Sequence, residues 1–235
     1  MRLLSRFVLL AVFALPAMPV AEATELTPHR AEYRVKISIL SGRLNTELRA
    51  TEDGYVATHV VKPTGMSRLL ASGQMRVSSA FTPVADGMRP VTYHAIDTIG
   101  DDPEARIQFD WSTNTATGTV GGDDVTFELD GLSHDAVSIQ YELMHDLLTE
   151  QPNSSYTLFD VDKMRVANIK DAGKRSVRTR AGVYDVVGIQ HQRQGSSRVT
   201  TMWCAPQLDY LPVIIEQHKS GKLKFRATLT SYTPT

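Results

Sequence analysis

The chain is 235 residues long and carries 25 Lys and Arg against 26 Asp and Glu, a formal net charge of −1. So even a balance argues against a nucleic-acid partner, which would want a basic surface. A single cysteine, Cys204, excludes an internal disulfide.

The first 23 residues read as a secretory leader. Arg2 and Arg6 mark a basic start, and Leu3 to Leu15 is an apolar run ended by Pro16 and Pro19. Ala21-Glu22-Ala23 then supplies the small-x-small pattern of a cleavage site. The run is well short of the roughly 20 residues that cross a bilayer. The expectation is an exported protein that begins at Thr24 and forms one β-rich domain over residues 24–235. Without Arg2, Arg6 and Glu22, the remainder has 23 basic and 25 acidic residues. No cysteine stands at the cleavage site, so no lipid anchor is expected, and no later stretch is long and apolar enough to span a membrane. An exported chain so poor in cysteine points to a bacterial periplasm. Nucleotide cofactors are scarce there, and no cofactor is expected.

From Thr24 onward the apolar residues recur with period two. Tyr33, Val35, Ile37 and Ile39 predict a half-buried strand, Ser41-Gly42 a turn, and Leu44, Thr46, Leu48 and Ala50 its partner. Asp53-Gly54 predicts a hairpin into Tyr55–Lys62. The same alternation marks strands at 74–81, 90–98, 105–111, 115–120 and 125–129. Between them stand turn signals such as Pro83, Asp86-Gly87 and Gly121-Gly122-Asp123.

Asp135–Thr149 breaks the pattern. Ala136, Ile139, Leu143 and Leu147, flanked by Val137, Tyr141, Met144 and Leu148, fall at helical spacing, with Asp135 as cap and Pro152 beyond the end. Strands resume at 156–162, 165–170, 174–180, 183–192, 198–204, 213–218 and 223–231. Fifteen short strands and one helix predict a mainly β fold. Its form is a curled antiparallel sheet, or incomplete β-barrel, with the helix packed against it.

Four stretches then carry a resemblance. They are His29-Arg30-Ala31-Glu32-Tyr33 with Leu40-Ser41-Gly42; Asp135-Ala136-Val137-Ser138; Thr179-Arg180-Ala181-Gly182-Val183-Tyr184-Asp185; and Trp203 followed by Asp209-Tyr210-Leu211-Pro212-Val213 and Ser220-Gly221. In this order they resemble the exported bacterial family catalogued as domain of unknown function 3108. Cys204-Ala205-Pro206 departs from it, where a more polar turn is expected. The resemblance implies a curled sheet similar to the periplasmic lipoprotein carriers, whose half-barrel holds acyl chains beneath a helical lid. It implies no established activity.

Each chemical constellation has a simpler reading beside it. Ser133-His134-Asp135 contains the three triad residue types, but a triad assembles from separate elements, and these read as a loop ending in a helix cap. His145-Asp146 lacks the i, i+4 histidine spacing of a helical metal site. Asp97, Asp101, Asp102 and Glu104 read as a solvated hairpin tip, not a calcium loop. Lys174, Arg178 and Arg180 share one face of a strand and Arg175 takes the other, a stripe suited to a headgroup, an acidic partner or plain solvent. Cys204 reads as a small buried residue.

Tyr93, Phe109, Trp111 and Trp203 on strands, with Tyr141, Met144 and Leu148 on the helix, are the candidate ligand-binding residues. The functional expectation is a periplasmic, non-enzymatic binder of a lipid or amphipathic envelope molecule in a half-barrel cavity. The alternative is an interaction module for another envelope protein, its core filled by its own side chains. An envelope-polymer hydrolase is the third class, and no residue set supports it.

Overall fold

The computed structural model describes residues 26–100, 102–160 and 163–235. The leader expected at residues 1–23, Asp101 and the end of the strand expected at 156–162 lie outside them.

Two meanders make one continuous sheet. The first runs through β1 (His29–Ile37), β2 (Leu40–Thr51), β3 (Gly54–Pro63), β4 (Met75–Val84), β5 (Gly87–Asp97), β6 (Ala105–Asp110), β7 (Thr115–Val120) and β8 (Asp123–Glu128). The second comprises β9 (Ser133–His134), α1 (Ser138–Leu148), β10 (Ser155–Asp160), β11 (Lys163–Arg178), β12 (Val183–Arg193), β13 (Arg198–Ala205), β14 (Leu211–Lys219) and β15 (Lys222–Pro234). The antiparallel pair β1–β15 joins them, so the order is β8-β7-β6-β5-β4-β3-β2-β1-β15-β14-β13-β12-β11-β10-β9. Hairpin connections dominate because period-two segments separated by short turns pair with their neighbours at little entropic cost.

The sheet curls without closing by hydrogen bonds. Its far ends meet instead through side chains: Phe127 of β8 and Phe159 of β10 stack edge to face at 5.2 Å, and Tyr93 of β5 meets Phe159 at 5.9 Å. The inner face buries Tyr33, Val35, Leu48, Phe81, Ile107 and Leu229. Leu48 is wholly buried, a burial that stabilises by about 2 kcal/mol.

Several local expectations are corrected by tertiary context. The first turn falls at Ser38–Ile39, where Ser38 adopts φ 55°, and Gly42 lies inside β2. A Cβ on Gly42 would stand 3.0 Å from the Lys62 carbonyl oxygen, so this glycine serves close strand packing and not a turn. Burial in β1 stops at Val35, leaving Ile37 and Ile39 exposed. The strands expected at 165–170 and 174–180 are one, β11, with a bulge between Asp171 and Gly173. There the Gly173 N–H donates to Asp171 Oδ1 at 2.6 Å. Ser133-His134, expected as loop, pairs parallel with β10, and α1 is the crossover.

Helix α1 starts three residues after Asp135, yet Asp135 still organises its entry. Its carboxylate accepts from the N–H groups of Val137 (2.7 Å) and Ser138 (2.8 Å), while Ser138 Oγ accepts from the Asp135 N–H at 3.0 Å. This is the reciprocal logic of a capping box. Tyr141, Met144 and Val137 join the larger core; Leu143, Ile139 and Leu147 meet Tyr156, Ile189, Met202 and Cys204 of the second meander. The broad apolar stripe has this cause: the helix is wedged between the two halves.

Candidate functional site

The structure sorts the seven expected ligand-binding residues into three places. Tyr93, Phe109, Tyr141 and Met144 are buried on the inner face. Tyr141 is clasped by Phe81 (5.2 Å, stacked) and lies near the His59 and His29 rings at 6.2 and 6.5 Å. Trp111 and Leu148 are half-buried at its margin; Trp111 stacks on Phe109 and its Nε1–H donates to the Pro90 carbonyl at 2.6 Å. Trp203 lies elsewhere. Its neighbours Met202 and Cys204 face α1, so strand alternation puts Trp203 on the opposite side of the sheet.

None of the seven lines the one hollow that borders α1 among the described hollows. That hollow, of about 230 Å³, is framed by Ala136, Ile139, Leu158, His191, Thr200 and Gln217. Small-molecule sites begin at about 300 Å³. The hollow beside α1 falls below that range.

Beneath α1 the protein also buries polar groups that the period-two reading could not assemble. Glu142 is fully buried; its Oε2 accepts from the Met88 N–H at 2.5 Å, and Oε1 has no hydrogen-bond partner among the described residues. Burial pushes its carboxyl up to about 8, opposed by the Met88 hydrogen bond and aided by Asp146. A Cβ on Gly87 would stand 2.3 Å from that Oε1, so Gly87, with φ +140°, makes the space the carboxyl fills. His134 is equally buried, with Nε2 4.0 Å from Glu142 Oε1, and burial pulls it down to about 3. Asp146 accepts from the Tyr156 hydroxyl and from Asn153 Nδ2. Asp135 accepts from Ser79 Oγ at 2.6 Å as well as from its cap donors. The signal for Glu142 was an acid set inside the apolar stripe, between Tyr141 and Leu143.

Ser133, His134 and Asp135 therefore form no triad; Ser133 Oγ donates to the Gly131 carbonyl and Asp135 holds the helix entry. Of the acidic tip, Asp97 caps the Ile99 and Gly100 amides, and Glu104 pairs with Arg106 (2.6 Å) and His94 (3.0 Å). Cys204 is buried, and burial pushes its thiol up to about 12. Among the described residues no group of three His, Cys, Asp or Glu is arranged to hold a metal ion.

The outer face is basic around Arg34, while its strip from β11 to β14 is covered, with Val177, Val186 and Ile214 buried beside Trp203. Trp203 sits over Gly188, whose Cβ would meet the indole at 2.7 Å, and Arg175 lies 3.6 Å above the ring. Glu216 accepts from Trp203 Nε1 at 3.3 Å and pairs with Arg226 at 3.3 Å. Beside it a hollow of about 500 Å³ is lined by Arg34, Lys36, Arg178, Lys224 and Arg226, and a second of about 350 Å³ by Arg34, Arg43 and Arg180. Arg178 and Arg180, at the β11–β12 turn, thus share these hollows with Arg34 of β1. Among the described residues no acid pairs with Arg34, Lys36, Arg178, Arg180 or Lys224.

Comparison with known proteins agrees with this architecture. A β-barrel-like protein of domain of unknown function DUF1849 from Brucella abortus superposes with a TM-score of 0.60 at 14% identity, covering 90% of this chain and 99% of that one. A Bacteroides fragilis protein described as having a YmcC-like fold gives a TM-score of 0.34 at 9% identity, over 89% of this chain and 97% of that one, too low to bear on the fold. No curated protein matches. The model of the family described as Protein of unknown function (DUF3108) matches residues 30–228, which bears out the four ordered stretches in the sequence: the chain belongs to that family.

Proposed function

We propose that this protein is an exported, non-catalytic binding module of the bacterial envelope that works from the outside of its sheet. The basic hollow between β1, β15 and the β11–β12 turn takes the anionic group of an amphipathic envelope molecule. The observation that carries this reading is the occupied inner face: Tyr141 and Met144 are 0% and 2% exposed and packed among the protein's own side chains. The leader at residues 1–23 supports export to the periplasm. Burial of His134, Glu142 and Cys204 supports a role without acid–base or nucleophilic chemistry, since none of them meets solvent. The cavity-carrier alternative requires α1 to lift away, breaking the Phe81–Tyr141 stack, the Met88–Glu142 hydrogen bond and the Asp135 cap together.

Two ligands test the reading on the wild-type protein. A fluorescent fatty-acyl probe is expected to find no binding site. A water-soluble, short-chain phosphatidylglycerol is expected to bind, and to bind about thirtyfold more weakly when Arg34→Glu and Lys36→Glu are combined, given about 1 kcal/mol per lost cation. Stoichiometric uptake of the acyl probe, unchanged by those substitutions, supports the carrier instead.

A further inference from the structure

Large apolar side chains are exposed in unusual concentration at one end of the sheet. Ile39 in the β1–β2 turn is 87% exposed, and Met66, Leu69 and Leu70, in and just after a short tight helical turn (Gly65–Leu69), are 77%, 78% and 72% exposed. Ile37 and Leu223, at the adjoining ends of β1 and β15, are also exposed. These segments converge by hydrogen bonds. Ser41 N–H donates to Ser67 Oγ at 2.8 Å, Thr64 N–H to the Ser41 carbonyl at 2.9 Å, and Ser38 N–H to the Lys224 carbonyl at 3.2 Å. Six of the eight exposed large hydrophobics of the described chain thus share one tip. A patch so concentrated marks an interaction surface, since scattered single residues are the ordinary case.

Charge around the tip is segregated. Residues 34–46, 60–76 and 217–230 contain ten Lys and Arg and no Asp or Glu, in a chain whose overall net charge is −1. Lys36 and Lys224 border both the tip and the large basic hollow, and Arg68 lies within the tight turn itself. Of the acids in the adjoining β5–β6 loop, Asp97 is engaged with its own turn amides, and exposed Asp102 lies three residues beyond Ile99, which borders the tip.

We propose that this end docks on an anionic phospholipid bilayer, with Ile39, Met66, Leu69 and Leu70 entering the interface and the surrounding lysines and arginines meeting phosphates. An apolar tip inside a basic collar combines the two terms that hold a peripheral protein to a charged membrane: buried apolar area and attraction to headgroups. A soluble acidic partner would be served by the collar alone and gives no reason for four bare aliphatic side chains at its centre. The proposal rests on the reading of the outer face as the working surface and names the source of the anionic group.

Co-sedimentation with phosphatidylcholine vesicles, with and without phosphatidylglycerol, tests it on the full mature chain. Wild type is expected to sediment with the phosphatidylglycerol vesicles alone and to be released by salt. Ile39→Asp with Leu69→Asp should weaken vesicle binding by about tenfold or more while leaving the melting temperature and short-chain phosphatidylglycerol binding intact. Ile39→Ser with Leu69→Ser should give a smaller loss in the same direction. Lys36→Glu with Lys224→Glu should cost about fivefold per charge. Vesicle binding that depends on the tip supports docking even where the short-chain lipid ignores Arg34 and Lys36, an outcome that overturns only the hollow. Failure of wild type to bind either vesicle overturns the proposal in favour of a protein partner. Equal binding by the tip variants overturns it as well.

Discussion

One sheet presents two faces that treat polar chemistry in opposite ways. Beneath α1, Glu142, His134 and Asp135 are withdrawn from water, and each is neutralised by burial or held by local donors. On the outer face the Arg34, Lys36 and Lys224 side chains stand exposed, without an acidic partner among the described residues. Aromatic residues follow the same division. Tyr141 is locked between Phe81 and two histidines, whereas Trp203 is half-buried under a single arginine. The inner face specifies how the halves fit together, and the outer face leaves Arg34, Lys36 and Lys224 to solvent. Position on the sheet, not residue type, decides which role a side chain takes.

The strongest way to break this comparison is to place a charge inside. Met144→Arg buries a cation with no acid placed to receive it and should destabilise by about 3–5 kcal/mol, enough to prevent folding of many domains. Thermal unfolding by circular dichroism reads the loss. A variant that melts close to wild type would mean the inner face has room to spare, and the distinction between the faces would fall.

A second, smaller effect sharpens the account of the buried acid. Glu142 is raised from 4.5 to about 8 in the folded state. Below pH 4.5 it is protonated both folded and unfolded, and its contribution is complete. As pH rises through 4.5 the unfolded chain ionises while the folded protein keeps the proton, so stability declines until about pH 8 and then levels. Between pH 5 and pH 8 the decline should be about 3–4 kcal/mol, and Glu142→Gln should remove it. His59 and His191, each lowered to about 4 by burial, act in the reverse sense: their share is present above 6.5 and lost as pH falls towards 4. Denaturant unfolding of wild type and Glu142→Gln between pH 5 and pH 8 isolates the carboxyl, because the histidines are common to both. Parallel curves would place Glu142 in contact with water.

The smallest effect is on the outside. Arg175→Ala removes the cation over Trp203 and a 3.9 Å contact with Glu216. Arg175 is substantially exposed, so the cost should be about 0.5–1 kcal/mol, with a shift in Trp203 emission as the indole is uncovered. A loss several times larger would make this corner part of the core.

Much of this fold was legible because strand alternation is local. The hairpins around Asp53-Gly54, the regular β15 and the single helix follow from the spacing of neighbours, and the four ordered stretches were enough to find the family. The errors share a cause. Gly42 and the Asp171–Gly173 segment carry turn residues, yet turn residues also serve close packing and bulges, and the choice depends on a partner strand. Glu142 and Gly87 lie far apart in sequence, so their fit is invisible until β5 and α1 meet.

Local chemistry along the chain was sufficient for an alternating β architecture, a helix with a carboxylate at its entry, and the hairpin turn at Asp53-Gly54. All three arise from interactions within a few residues. Tertiary structure alone decided that β15 returns to β1, that the sheet curls until Phe127 meets Phe159, and that Trp203 turns away from the helix. Strand register and sheet coiling are long-range choices, made by which apolar faces must leave water together. They turn a helix that resembles a lid into part of the core, and they gather scattered lysines, arginines and aliphatic side chains into one exposed end.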